Sequence, residues 1–343
     1  MNHMLRGIKQ GGLAAILISL LAACGGATAA PATVTPAAGA PTAAATTAAL
    51  THIQLPMGFI PSVQFAPFYV AVDQGYFAAE GLAIDFDYSF ETNGVQLVAA
   101  GKLPFAVVSG EQVLLARAQG LPVEYVMAWF QKFPVAILSK AGSGINAPAD
   151  LRGKRIGTPL LEGANFVGLR ALLAEAGVAP EEVTISAIGF NQAPALTAGQ
   201  VDAVVVYSNN EPIRLTAQGE KLSSFNVGDY VSLAANGILT NEDTAAKQPQ
   251  LVRAFLRALL HGLRDTLDNP DAAYTITKKY VEGLTDDAVE KQVLAASIAL
   301  WQTDHLGFSD PAAWDNMQKT LLDSGLLSEA QDLSKTFTNE FVP

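Results

Sequence analysis

LPMGFIPSVQFAPFYVAVDQGYFAAEGL, residues 55–82, decides the fold. It begins as a short apolar strand that stops at Gly58-Phe59-Ile60-Pro61, and the polar pair Ser62 and Gln64 follows. Phe65–Gln74 reads as a helix with Pro67 in its first turn, where a missing N–H costs little. After Gly75 and Gly81, Leu82-Ala-Ile-Asp-Phe-Asp-Tyr88 alternates like a strand. A strand that enters a helix through such a turn leaves free backbone N–H groups above the sheet. Phe59, Phe65 and Tyr69 crowd the same turn, and aromatic faces beside free donors suit a flat polar ring better than a bare phosphate. The plainer reading is a first strand and helix packing their aromatics into a core.

Outward from this stretch the pattern repeats. Apolar strand cores stand at Ile53–Leu55, Ile84–Tyr88, Phe105–Val108, Val123–Ala128 and Val135–Leu138, with helical stretches such as Asn93–Ala100 and Glu111–Gln119 between them. A second set runs through Arg155–Gly157, a helix over Ala164–Ala176, and the strands Val183–Ala187 and Asp202–Tyr207. Strands alternating with helices predict α/β architecture with largely parallel sheets. From Gln250 the chain is nearly all helical, and its first long helix ends near Asn269-Pro270. Ala100–Glu111 and Ala198–Asn209 echo each other: helix end, Gly, spacer, buried strand, small polar loop. The echo fits two lobes with equivalent strands, and chance similarity between α/β units is its rival. Ligands of open α/β sheets lie beyond the carboxyl ends of the strands.

The chain has 343 residues, room for two ordinary domains, with 50% hydrophobic and 15% charged residues. Its net charge of −11 argues against nucleic-acid binding, which needs basic stripes. Residues 1–24 read as a secretory signal, with Arg6 and Lys9 before the apolar run Leu13–Leu21. Leu21-Ala-Ala-Cys24-Gly25 resembles a bacterial lipobox, which implies cleavage before Cys24 and a lipid on it. Cys24 is the only cysteine, so no intramolecular disulfide exists. Removing Arg6 and Lys9 takes the net charge to −13, so the lipid and not a basic patch would hold the mature chain to the membrane. Residues 25–50 carry no charge and no aromatic ring, and read as an Ala/Thr/Pro-rich disordered tether.

The aromatic core AxFYVAxxxGYFxxEGL, here Ala66–Leu82, and the DLxGKxIG segment, here Asp150–Gly157, resemble a family of solute-binding proteins. That family includes alkanesulfonate-, thiamine-pyrimidine- and riboflavin-binding components of ABC importers, and the resemblance runs from about residue 52 to the C-terminus. It implies a two-lobed periplasmic-binding-protein-like fold of type II, with two chain crossings and the ligand in the cleft between the lobes. On that reading lobe 1 comprises residues 51–140 and 234–343, and lobe 2 residues 141–233, with crossings near Ser139–Ile145 and Val231–Asn236. It further implies a monomer on the extracytoplasmic face of the cell membrane, partnered by an ABC permease and its ATPase.

A cleft ligand needs an apolar clamp and a few convergent polar groups. The aromatics next to strand ends are Phe59, Phe90, Trp129, Phe166, Phe190 and Tyr207; Trp129 and Tyr207 stand out, because their polar tips want partners. The polar candidates are Ser62, Gln64, Asn93, Ser109, Glu111, Glu162, Asn165, Asn210 and Glu211. Plain helix capping competes for Leu161–Asn165, and a helix-dipole role for Glu211. Asn209-Asn-Glu-Pro212 resembles the segment of thiamine-pyrimidine binders whose Glu takes protons from the ring's amino edge, which would give Glu211 that role beside Asn210. No zinc motif, nucleophile elbow or P-loop appears. Yeast-type pyrimidine synthases of the same fold carry a cysteine cluster and histidines, whereas this chain keeps its one cysteine in the lipobox. A binding protein with no enzyme activity, cofactor or metal is therefore expected. Without a basic residue in the cleft loops a heteroaromatic vitamin is favoured: riboflavin narrowly, as transported ligand, ahead of a thiamine pyrimidine precursor and a sulfonate or taurine.

Overall fold

A computed structural model describes residues 49–343. Residues 1–48, on which the expected signal segment, Cys24 and most of the expected tether fall, lie outside the described residues. In chain order, β1 (Thr51–Gly58), α1 (Ala66–Asp73), α2 (Tyr76–Ala79), β2 (Leu82–Phe90), α3 (Glu91–Ala99), β3 (Ala106–Val108), α4 (Gly110–Ala118) and β4 (Val123–Ala128) come first. A second group follows: β5 (Val135–Lys140), β6 (Arg155–Thr158), α5 (Gly163–Glu175), β7 (Thr184–Ala187), α6 (Gln192–Thr197), β8 (Ala203–Tyr207), α7 (Glu211–Ala217) and β9 (Leu222–Asn226). The chain then returns through β10 (Gly237–Asn241) to α8 (Glu242–Lys247), α9 (Pro249–Asp268), α10 (Pro270–Thr277), α11 (Asp287–Trp301), α12 (Pro311–Asp323) and α13 (Leu333–Thr336).

The strands form two layers with matching order. In lobe 1, β1 pairs with β2 in parallel, β10 pairs antiparallel with both β3 and β4, and β3 lies alongside β1. In lobe 2 the order is β7-β6-β8-β5-β9, parallel through β8 and antiparallel at β5. The antiparallel member of each layer is the first strand after a crossing. The echoing strands β3 and β8 hold equivalent places, each beside the strand that enters from the other lobe.

β5 belongs wholly to the second sheet, so the first crossing is Trp129–Pro134 and not Ser139–Ile145, and lobe 2 starts before residue 141. An apolar strand carries no mark of which sheet it joins, and VAILSK satisfies either. The return crossing lies between β9 and β10, and the two crossings are bonded together: Trp129 and Phe130 donate their N–H groups to the Asn236 carbonyl at 3.0 and 2.9 Å.

The central strands β5 and β8 of the second sheet are buried on both faces. Ala203 and Val205 of β8 join the main core, while Val204 and Val206 pack with Ala136, Leu138, Ala195, Leu196 and Leu215 on the other side. That explains the unbroken apolar run at this strand. In lobe 1, α9 lies on α1, and Gly262 makes the close approach possible, since a Cβ there would sit 2.2 Å from the Pro67 carbonyl oxygen. The C-terminal helices also reach lobe 2, with α11 against α7 and α12 against α5. Among the described residues no helix is long and apolar enough to cross a membrane.

Candidate functional site

Corresponding strand ends of the two lobes face one cavity. Gly58 ends β1 and Phe59 follows it, and Pro159 and Leu160 follow β6; Phe90 ends β2 and Glu91 starts α3, and Phe190 and Gln192 follow β7. Beyond β3 comes Gln112 of α4, and at β8 come Tyr207, Asn210 and Glu211. Trp129, Phe130 and Asn236 enter from the crossings. The cavity holds about 930 Å³, counting the part open to solvent, within the size range of small-molecule sites.

Its rings grade from buried to exposed. Trp129, Phe65 and Phe130 are only 2–3% exposed, whereas Phe190 is 41% and Phe90 47% exposed. Trp129 stacks on Phe65 at 5.6 Å between centroids and meets Phe130 edge-on at 4.7 Å. At the open end Phe190 of lobe 2 lies between rings of lobe 1, edge-on to Phe59 at 5.0 Å and stacked with Phe90 at 5.9 Å. The indole Nε1 of Trp129 is buried and has no partner.

The polar groups are held by bonds that reach away from the cavity. Ser109 donates its N–H (3.1 Å) and its hydroxyl (2.6 Å) to Glu91 Oε2, and Asn236 donates its amide to Glu91 Oε1 at 3.4 Å. Gly58 makes room for this: at φ 77° it turns the chain, and a Cβ would stand 2.6 Å from Glu91 Cγ. Behind Glu91 the Ser109 hydroxyl also contacts Glu111 Oε1. One hydroxyl proton cannot serve two carboxylates, so one of the acids is protonated. Glu111 is that acid. It is fully buried, its Oε2 has no partner, and burial followed by the charge of Glu91 pushes it up to about 8. Glu91 is raised as well, chiefly by burial, but the Ser109 donors favour its charged form.

Asn236 also accepts the Tyr207 hydroxyl at 3.0 Å, so one hinge amide joins Glu91 of lobe 1 to Tyr207 of lobe 2. Burial first, then the nearby carboxylates, raise the Tyr207 hydroxyl, which stays protonated and able to donate. Glu290 on α11 grips Arg214 at 2.6 and 2.9 Å, and Arg214 in turn donates its Nε–H to the side-chain amide oxygen Oδ1 of Asn210 at 2.7 Å. That contact fixes the Asn210 amide group toward Glu211 Oε1 at 3.3 Å, while the Tyr207 N–H donates to Glu211 Oε2 at 3.3 Å. Burial raises the proton affinity of Glu211 against these donors.

Of the sequence candidates, the structure brings Phe59, Gln64, Phe90, Trp129, Glu162, Asn165, Phe190, Tyr207, Asn210 and Glu211 to the cavity. Five others do not line it. Ser62 is buried and caps the short turn before α1, accepting the Gln64 N–H at 3.3 Å. Asn93 is exposed on α3, two residues past Glu91, about 200° around the helix. Ser109 and Glu111 are sealed behind the wall, because α4 starts at Gly110, where a Cβ would be 2.6 Å from Ala234 Cβ. Phe166 lies under the Arg170 guanidinium, 5.9 Å from its ring centre. Sequence reasoning missed Glu91, Gln112, Phe130, Gln192 and Asn236 as lining residues. Among the described residues no group of three or more His, Cys, Asp or Glu is arranged to hold a metal ion, and no Cys, His, Lys or Arg lines the cavity.

The family described as NMT1/THI5 like matches residues 62–273. The chain is similar to the riboflavin-binding protein RibY of Chloroflexus aurantiacus, 41% identical over 341 residues that cover 96% of this chain and 97% of that one. It is 31% identical over 228 residues to the formylaminopyrimidine-binding protein of Halalkalibacterium halodurans, covering 65% of this chain and 69% of that one. The periplasmic aliphatic sulphonate binding protein SsuA of Escherichia coli shares the fold, with a TM-score of 0.68 at 15% identity over 83% of this chain and 91% of that one. The architecture is thus the two-lobed periplasmic-binding-protein-like α/β fold.

Proposed function

The chain belongs to the NMT1/THI5-like family, and on that premise we propose that it is the solute-binding component of an ABC importer whose ligand is riboflavin. One observation carries the choice of ligand. A single cavity is lined by seven aromatic rings, from Phe65, Trp129, Phe130 and Tyr207 inside to Phe59, Phe90 and Phe190 outside, and its polar side chains are mostly carboxylates and carboxamides. A three-ring isoalloxazine uses such a run of ring faces, and ribityl hydroxyls pair with the carboxamides and carboxylates. The likeness to RibY along nearly the whole chain supports the same reading.

The chain is proposed to act by closing its lobes over the ligand about the crossings at 129–134 and 227–236, then presenting the closed form to the permease. Binding, not catalysis, is the proposed role. Cys24 is proposed to carry a lipid that holds the protein, as a monomer, on the outer face of the cell membrane, with residues 25–50 as its tether.

A second reading rests on Glu211. Buried, and held next to the Asn210 amide, it suits an amino-bearing pyrimidine, and the formylaminopyrimidine-binding relative supports that ligand. Native mass spectrometry after incubation with equimolar riboflavin, formylaminopyrimidine and an alkanesulfonate separates the readings. Retained riboflavin is expected; retained pyrimidine moves the protein to thiamine salvage, and retained sulfonate removes the heteroaromatic class.

A further inference from the structure

The charged groups at the cavity are all of one sign. Glu91, Glu162 and Glu211 line it, and among the described residues no cationic side chain does. Arg214, near Glu211 on α7, is held by Glu290 and by the Asn210 side-chain amide oxygen. The three acids are spread along the cavity. Glu91 lies inside, bonded to Ser109 and Asn236, and Glu211 is tied to the Tyr207 N–H and the Asn210 amide. Glu162 is exposed at the start of α5, and its side chain makes no capping bond there. Burial chiefly raises the proton affinity of Glu91, and the Glu162 charge acts in the same direction as a lesser cause.

A separate observation orients the ligand. Trp129 is 3% exposed and lines the cavity, and its Nε1–H has no partner. A buried indole N–H calls for an acceptor, and the least exposed rings, Phe65 and Phe130, stand beside it. The inner end of the cavity is thus its apolar, ring-rich end, which suits the aromatic part of a ligand. The polar tail then runs outward toward Asn165 and Glu162.

We propose that the cleft selects its ligand by charge: it takes the neutral form and rejects the phosphate ester, and Glu162 is the residue that meets the phosphate. The proposal deepens the flavin reading and rests on it for the identity of the ester, riboflavin 5′-phosphate. A phosphate dianion on the tail enters a mouth of like charge with no counter-ion from the protein. Apolar walls reduce the screening of that repulsion, and specificity follows from the unfavourable pairing as much as from the favourable contacts.

The test is a titration of the full chain in detergent with riboflavin and with riboflavin 5′-phosphate, at about 20 and about 300 mM salt, repeated with Glu162→Gln. At low salt riboflavin is expected to bind about tenfold or more tighter than its phosphate. The ratio is expected to shrink severalfold both in high salt and in the variant. Equal affinities overturn the proposal. So does a preference that neither salt nor Glu162→Gln changes, since that marks exclusion by size. If neither flavin binds, the flavin reading fails, and an aminopyrimidine against its phosphate ester decides the charge rule by the same criteria. Binding of none of the four removes both.

Discussion

At the scale of single residues the site is a set of carboxylates kept in different states by their neighbours. Glu211 is aimed by a chain that starts at Glu290, passes through Arg214 and ends at the Asn210 amide. A charge-assisted hydrogen bond contributes about 1.5–3 kcal/mol. Replacing Glu211 by Gln is therefore expected to weaken flavin binding by about tenfold or more, read by calorimetry; unchanged affinity removes Glu211 from ligand contact. Glu111 makes a different prediction. Its folded-state value near 8 lies above that of an unfolded glutamate, so the folded state holds the extra proton. Stability on this account is full below the unfolded value, falls as pH rises toward 8, and levels off above it. Each pH unit inside that window costs about 1.4 kcal/mol. Glu111→Gln mimics the protonated acid, so its melting temperature relative to the parent should rise between pH 6 and pH 9. A difference that stays flat with pH contradicts the assignment of the proton. The residue scale is also where the sequence was least legible. Strand ends pointed to Phe59, Trp129 and Tyr207, but the choice between Glu91 and Asn93 depends on how α3 is rotated. The sealing of Ser109 and Glu111 depends on Ala234, more than a hundred residues away in the chain.

At the scale of elements, close approaches between backbones position the site. The helix read at Phe65–Gln74 is α1, with Pro67 in its first turn, and its contact with α9 was not legible. Periodicity shows that α9 has an apolar face, and says nothing of which helix that face meets. Gly262 marks the meeting point, 2.2 Å of Cβ distance from the Pro67 carbonyl. Gly262→Ala forces the helices apart and is expected to destabilise by about 2–4 kcal/mol. Because α1 follows the Gln64 turn, ligand affinity should fall with it. A melting curve superimposable on that of the parent rules out the close approach. The parallel order of β7-β6-β8 agrees with the strand–helix alternation. The antiparallel strands β5 and β10 were not foreseen, because hydrophobic pattern carries no strand direction.

At the scale of the whole molecule, the two layers repeat one strand order, and the Ala100–Glu111 and Ala198–Asn209 echo is the trace of that repeat in the sequence. Equivalent strand ends from the two lobes then converge on one cavity, which is why aromatics far apart in the chain meet there. The crossing at Trp129–Pro134 is not legible in the sequence, since VAILSK fits either sheet. Membrane attachment belongs to this scale as well. If Cys24 carries the lipid, Cys24→Ala is expected to move the protein from the membrane fraction to the soluble fraction of expressing cells; continued membrane association of the variant contradicts a lipid at that position. The most direct measurement for the whole account is an equilibrium titration of the full chain against riboflavin, followed by the ligand's own fluorescence. Stacking among Phe65, Trp129 and Phe130 predicts saturable quenching at one flavin per chain with a dissociation constant at or below the micromolar range, about −8 kcal/mol. Fluorescence that stays unquenched at excess protein, while formylaminopyrimidine gives a saturable heat signal, contradicts it.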